Sequence, residues 1–234
     1  MSILVVGSVA FDSVETPFGK VEEVLGGSGT YFSASASFFS EVQLVAVVGE
    51  DFPQVHFDFF RSRKVDLGGL MQVPGKTFRW KGRYGYDLNE AHTLETHLNV
   101  FESFRPAIPP AWKKADYLFL ANIHPGLQME VLKNVESPRL VACDTMNFWI
   151  EKERPALLKL LPKVDILIIN EGETRQLGEE ANLIKAARKV LALGPRTLVV
   201  KRGEYGVLMF QEHSVFAAPA YPLEEVYDPT GAGD

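Results

Sequence analysis

The last seven residues, Asp228-Pro229-Thr230-Gly231-Ala232-Gly233-Asp234, have the types and spacing best suited to chemistry. Gly231 and Gly233 flank a single small residue, so the backbone can tighten until several N–H groups converge on one point. A nest of that kind, especially one that opens a helix, holds the negative charge of a phosphate. Asp234 comes directly after it and, as a ligand, would repel a phosphate. It makes better sense as a base that takes the proton from a hydroxyl attacking that phosphate. Taken alone, the stretch is equally compatible with an ordinary glycine-rich turn.

Other polar residues stand just past short apolar runs. Asp12 follows the run 3–6 by a few residues, and Asp144 and Asn147 follow the run ending at Cys143. Asn170 and Glu173 come after Ile169, and Arg202 and Gly203 after Lys201. Runs of this length read as strands buried on both faces, and 3–6, 43–48, 117–120, 139–143, 165–169 and 197–201 are all of that kind. Between them the spacing predicts helices over 29–39, 53–64, 125–134, 151–161 and 181–193. Phe32, Ala36 and Phe39 share a face in the first of these; Leu183, Ala186, Ala187, Val190 and Leu191 do so in the last. Strands alternating with helices predict an α/β fold, a doubly wound and mostly parallel sheet flanked by helices. Ligands of such sheets bind outside the carboxyl ends of the strands, which would gather these polar residues along one edge.

Two stretches break the alternation. Residues 11–25 are β-like with a turn near Pro17-Phe18-Gly19, and 70–98 carries aromatics at alternate positions, as in Phe78, Trp80, Tyr84 and Tyr86. Antiparallel strands in a small accessory sheet are expected there. The chain thus reads as one α/β domain over 1–234, with lid segments at about 11–25 and 70–98 inserted in it.

Bulk properties narrow the partners. Apolar content of 46% with 23% charged residues is ordinary for a globular protein, and a net charge of −6 without a basic run argues against nucleic acid. No apolar stretch is long enough to span a bilayer, and Met1-Ser2 lead straight into the first strand, leaving no signal-peptide pattern. The single Cys143 cannot form an internal disulfide and reads as a small core residue. A cytoplasmic location is the resulting expectation. His92, His97 and His124 lack metal-ligand spacing.

Taken together, the motifs resemble those of the ribokinase-like family, the phosphofructokinase-B type of carbohydrate and nucleoside kinases. The terminal Asp228 to Asp234 stretch is similar to its C-terminal signature, and Gly26-Gly27 to its N-terminal di-glycine. Asn170-Glu171-Gly172-Glu173 is similar to its N-x-x-E element, and Lys201-Arg202-Gly203 with Gly206 to its nucleotide-side strand and turn. The resemblance implies transfer of the ATP γ-phosphate to a hydroxyl of a sugar or sugar-like molecule, under a β lid. It implies Asp234 as base, the N–H groups of Gly231, Ala232 and Gly233 as anion hole, and Thr230, Lys201, Gly203 and Gly206 on the nucleotide side. Asn170 and Glu173 would organise Mg²⁺ largely through water, and Asp228 is the candidate for a monovalent cation such as K⁺. Asp12, Gly26 and Gly27 would meet the acceptor, with Tyr31, Arg79 and Asn147 as further candidates.

Each has a plainer alternative. Asn170 and Glu173 could simply be a strand end followed by a helix with an acidic first turn, Asp12 could be a turn residue, Gly203 and Gly206 could make a hairpin turn, and Lys201 and Arg79 could be solvated strand residues. Two departures from the family also matter. Tyr31 stands where members carry an Asn that touches the sugar, which keeps a nucleoside acceptor in play. The chain ends at Asp234, whereas members continue for several dozen residues; a truncated form that binds ATP poorly, even an inactive one, is the expectation. The competing readings are a nucleoside kinase of the same fold and a non-catalytic sugar-binding module. Pairing of two copies through the lid is a further implication. A dinucleotide-dependent enzyme is disfavoured, because Val6-Gly7-Ser8-Val9-Ala10 lacks G-x-G-x-x-G.

Overall fold

Leu4, Val5 and Val6 are fully buried at consecutive positions, which requires a strand covered on both faces. They lie in β1 (Ser2–Val6) of a computed structural model that describes residues 2–86, 88 and 91–233. The described chain divides into two compact units, one of residues 2–113 with 223–232 and one of 114–222 with Gly233.

The first unit continues with β2 (Ala10–Thr16), β3 (Gly19–Gly26), α1 (Ser28–Ala36), β4 (Glu41–Gly49), α2 (Gln54–Ser62), β5 (Val65–Val73), β6 (Phe78–Tyr84) and β7 (Ala91–His97). β1, β4 and β5 pair in parallel, with α1 packed on β1 and β4 and α2 on β5. A second, four-stranded sheet has the order β3-β2-β6-β7. The expected antiparallel stretch 70–98 divides between the two sheets. Residues 70–73 belong to β5, and the antiparallel pair is β6 with β7. The predicted helix 29–39 stops at Ala36, leaving Phe39 88% exposed instead of on a buried face.

In the second unit β8 (Tyr117–Leu120), β9 (Leu140–Asp144), β10 (Ile166–Asn170) and β11 (Thr197–Lys201) pair in parallel; β12 (Val207–Phe210) and β13 (Val215–Ala218) extend them antiparallel. Its helices are α3 (Pro125–Asn134), α4 (Asn147–Lys152), α5 (Arg154–Leu160), α6 (Glu171–Gly178) and α7 (Leu183–Leu191). The single helix predicted over 151–161 is broken at Glu153, because Pro155 in a helix interior would clash with the carbonyl four residues back. In the first turn of α5 it costs no hydrogen bond. Buried Leu167, Ile169, Leu198 and Val200 form the strand core, with Ala186, Ala187 and Val190 of α7 buried as their spacing predicts. The fold class is therefore α/β, with mostly parallel strands flanked by helices and a small additional sheet.

Candidate functional site

In the first unit the acceptor-side candidates assemble around the entry to α1. Ser8, just past β1, accepts from Ser28 N through its Oγ (3.2 Å) and from Gly29 N through its carbonyl (2.9 Å). The approach is so close that a Cβ at Gly27 or Gly29 would lie 2.6 and 2.8 Å from that carbonyl oxygen. Gly27 also has φ +93°, open to glycine at little cost. Gly26 is demanded by a different neighbour, since a Cβ there would lie 2.0 Å from Asp12 Oδ2. Asp12, only 5% exposed, thus lays its carboxylate against Gly26. Asp12, Gly26 and Gly27 are brought together. Nothing in the sequence pattern singles out Ser8, whose role depends on where β1 ends relative to α1.

Tyr31, in the first turns of α1, packs against the terminal stretch. Three of its ring atoms lie 2.4–2.5 Å from where a Gly231 Cβ would be, so only glycine fits beneath the ring. Gly231 has φ +76° in a turn closed by Ala232 N donating to Pro229 O at 3.0 Å. Asp228 Oδ1 accepts from Thr230 N (2.9 Å), and buried Thr230 Oγ1 has no hydrogen-bond partner among the described residues. The approach to this turn rests on the β2–β3 hairpin. Thr16 Oγ1 donates to Tyr227 O at 3.1 Å, and the Phe18 and Tyr227 rings meet edge to face. Asp234, the base expected from the sequence, lies outside the described residues.

Arg79 sits apart from Asp12. Register pairs Arg79 with Phe11 and Trp80 with Asp12, and successive residues of a strand point to opposite faces. The Arg79 guanidinium lies over the Phe11 ring and is held by Glu23 (2.6 Å), Asp51 (2.9 Å) and Thr77 O (2.9 Å). Asp51 in turn accepts from Thr77 N and Oγ1, both at 2.7 Å. Burial pushes the Asp51 carboxyl up, but the two Thr77 bonds and Arg79 outweigh it and leave it below the usual range. Neither Asp51 nor Thr77 is marked by any local motif.

In the second unit Asn170 and Glu173 cap α6 reciprocally. Asn170 Oδ1 accepts from Glu173 N (2.7 Å) and Glu173 Oε2 from Asn170 N (2.8 Å), a capping box. Neighbouring Glu171 pairs with Arg202 (2.9 Å) and Arg175, which hold its carboxyl below the usual range. Asn147 opens α4, exposed, with Oδ1 accepting from Phe148 N at 2.8 Å. Lys201 Nζ lies 3.9 Å from Asp144 Oδ1 and 3.6 Å from where a Gly233 Cβ would be. Gly203 (φ +55°) and Gly206 (φ +82°) make the tight β11–β12 connection, with Arg202 N donating to Gly206 O at 2.9 Å. Buried Cys143 has its thiol pushed up by desolvation and by Asp144, as befits a core residue rather than a nucleophile.

Comparison with known proteins gives the class to which these turns belong. Residues 2–234 match the model of the pfkB family of carbohydrate kinases. The chain belongs to that family and is an enzyme of its phosphotransferase class. A cytidine kinase of Thermococcus kodakarensis is 28% identical over 239 residues, covering 100% of this chain and 85% of that protein. Among solved structures, adenosine kinase from Sinorhizobium meliloti matches with a TM-score of 0.80 at 18% identity, covering 99% of this chain and 82% of that one. An E. coli chain given the name ribokinase II, in complex with ATP and Mg²⁺, also matches at 0.80 and 18% identity, with coverage of 99% and 82%. No helix among the described residues is long and apolar enough to cross a membrane.

Proposed function

We propose that the chain transfers the γ-phosphate of ATP to a hydroxyl of a sugar or of the sugar part of a nucleoside. The observation that carries this is the buried Asp12 carboxylate laid over Gly26 at the entry to α1. A carboxylate so held accepts hydrogen bonds from sugar hydroxyls, and the glycines beneath it let the acceptor approach backbone. Asp234 would take the proton of the attacking hydroxyl. The N–H groups of Gly231, Ala232 and Gly233 would donate to charge on the transferring phosphoryl group, a contribution of about 3 kcal/mol per donor in such sites. Ala232 N–H now closes the turn onto Pro229 O, and serving the anion would require it to exchange that carbonyl for a phosphoryl oxygen.

The residues fit a triphosphate. Thr230 Oγ1, buried without a partner among the described residues, can donate to a phosphate oxygen, and Lys201 stands beside Gly233 with its charge supported by Asp144. Gly203 and Gly206 would admit the nucleotide to backbone. Asn170 and Glu173 also fit Mg²⁺ held mainly through water, because two oxygen-bearing side chains suit a cation that keeps most of its hydration shell. When bound, that ion would neutralise phosphate charge. K⁺ at Asp228, a cytoplasmic location, the small sheet as a lid, and pairing of two copies through it belong to the same reading. β7 is an edge strand with all seven residues exposed, which leaves an edge for pairing. A nucleoside acceptor is favoured by the cytidine kinase relative, which this chain matches along its whole length.

The test is ATP consumption across a panel of sugars and nucleosides, with and without Mg²⁺ and K⁺, and with Asp234→Asn as control. Turnover of one acceptor that collapses in the variant supports the proposal. Tight acceptor binding without any turnover would give the binding-module reading the lead.

A further inference from the structure

The small sheet is two-faced. On one face Arg79, Lys81 and Arg83 of β6 are each matched by a carboxylate, from Glu23, Glu95 and Glu15. The other face carries Asp12 and Val14 of β2, with Trp80 and Gly82 of β6 in register beside them. The three cations of β6 are thus turned away from Asp12, and the Asp12 face suits an uncharged acceptor.

Trp80 is held in one position on that face. Its indole lies across Gly82, where a Cβ would come within 2.1 Å of the ring, and its Nε1 donates to Thr93 Oγ1 at 3.1 Å. Thr93 is the residue opposite Gly82 on β7, so the side chain runs along the sheet surface and not away from it. The ring lies against Gly82, where no side chain intervenes, and the residue is half-buried, so part of the indole stays accessible. An indole fixed in advance loses little conformational freedom when a flat ring stacks on it.

We propose that Trp80 is the platform for the base of a nucleoside acceptor whose ribose hydroxyls meet Asp12; the inference rests on the kinase reading above. Asp12 pairs with the Trp80 backbone, whereas the indole reaches Gly82, two residues or ~6.6 Å further along the strand. A molecule that uses both groups therefore extends beyond a single sugar ring. A planar base joined to a ribose has that length and that division between hydroxyls and flat apolar surface.

The experiment compares KM and kcat for cytidine, adenosine and ribose at saturating ATP in the full chain, Trp80→Ala and Trp80→Phe. Nucleosides should outperform ribose. Trp80→Ala should raise the cytidine KM about tenfold, equivalent to about 1.4 kcal/mol, with kcat within about twofold and the ribose KM unchanged. Trp80→Phe should restore most of the affinity. Quenching of tryptophan fluorescence by cytidine without ATP, lost in Trp80→Phe, gives a readout independent of turnover and of the alanine variant's folding. If cytidine is phosphorylated and its KM is unmoved in folded Trp80→Ala, or its quenching persists in Trp80→Phe, the platform is refuted while the kinase reading stands. If ribose is used and no nucleoside is, the nucleoside assignment falls with it. If nothing is phosphorylated, the underlying reading has failed.

Discussion

Gly26→Ala isolates the acceptor end of the proposed site. Its Cβ would sit 2.0 Å from Asp12 Oδ2 and 2.2 Å from Asp12 Cγ, whereas real Cβ contacts essentially never fall below 3.0 Å. The carboxylate must therefore retreat by about 1 Å. Asp12 is 5% exposed and Val14 beside it on the strand is 1% exposed, so little room exists for that movement. Overpacking of this kind costs about 1–3 kcal/mol of stability, and misplacing a positioning group by ~1 Å costs about 10²-fold in rate. Gly26 needs no positive φ, so backbone strain does not enter. The assay is acceptor kcat/KM, with KM for ATP and Tm measured on the same preparation. We expect kcat/KM for the acceptor to fall about 10²-fold while KM for ATP holds. Gly19→Ala, whose Cβ meets nothing within 4 Å, is the neutral control. A Gly26→Ala enzyme with unchanged acceptor kcat/KM would refute the role given to Asp12.

Three other outcomes are expected. Asn170→Ala removes half of the α6 capping box and should cost about 1 kcal/mol, seen as a Tm lower by about 2–4 °C, together with a higher Mg²⁺ requirement if the metal assignment holds. A variant that loses stability but keeps its Mg²⁺ dependence would leave Asn170 as a cap alone. Asp51 and Glu171 have carboxyls lowered by their partners, so their stabilisation is complete above the ordinary carboxylate range and is lost as pH falls through and below it. Urea midpoints should accordingly decline from about pH 5 toward pH 3, less steeply in Glu171→Gln. Cys143, buried and with a raised pKa, should resist thiol reagents in the native state and react on unfolding; rapid native labelling would contradict its core placement.

Much of the framework is legible because it is local. A run such as Leu198 to Val200 has to be a strand covered on both faces, and the repeat at 183–191 has to bury one side of a helix. Asn170 and Glu173 are a case where two local readings coexist: the N-x-x-E spacing that resembles a metal-organising motif is also the spacing of a capping box, which the structure forms. Gly203 and Gly206 likewise serve a tight turn whatever else they do. Arg79 shows the limit of such reading. Its charge in a basic stretch left an acceptor contact and a solvated strand residue both open, and only the register of distant strands sets it on Phe11 and between Glu23 and Asp51.

By itself the sequence determined the α/β class, the terminal glycine turn, the di-glycine entry to α1 and the chemistry those groups permit, since each depends on neighbours a few residues apart. Only the tertiary structure decided that Asp12 lies on Gly26, that Tyr31 covers Gly231, and that Trp80 and not Arg79 shares a sheet face with Asp12. Those facts depend on the register of distant segments. A shift of one residue in a β ladder sends every side chain to the other face, and no local spacing encodes which face is chosen.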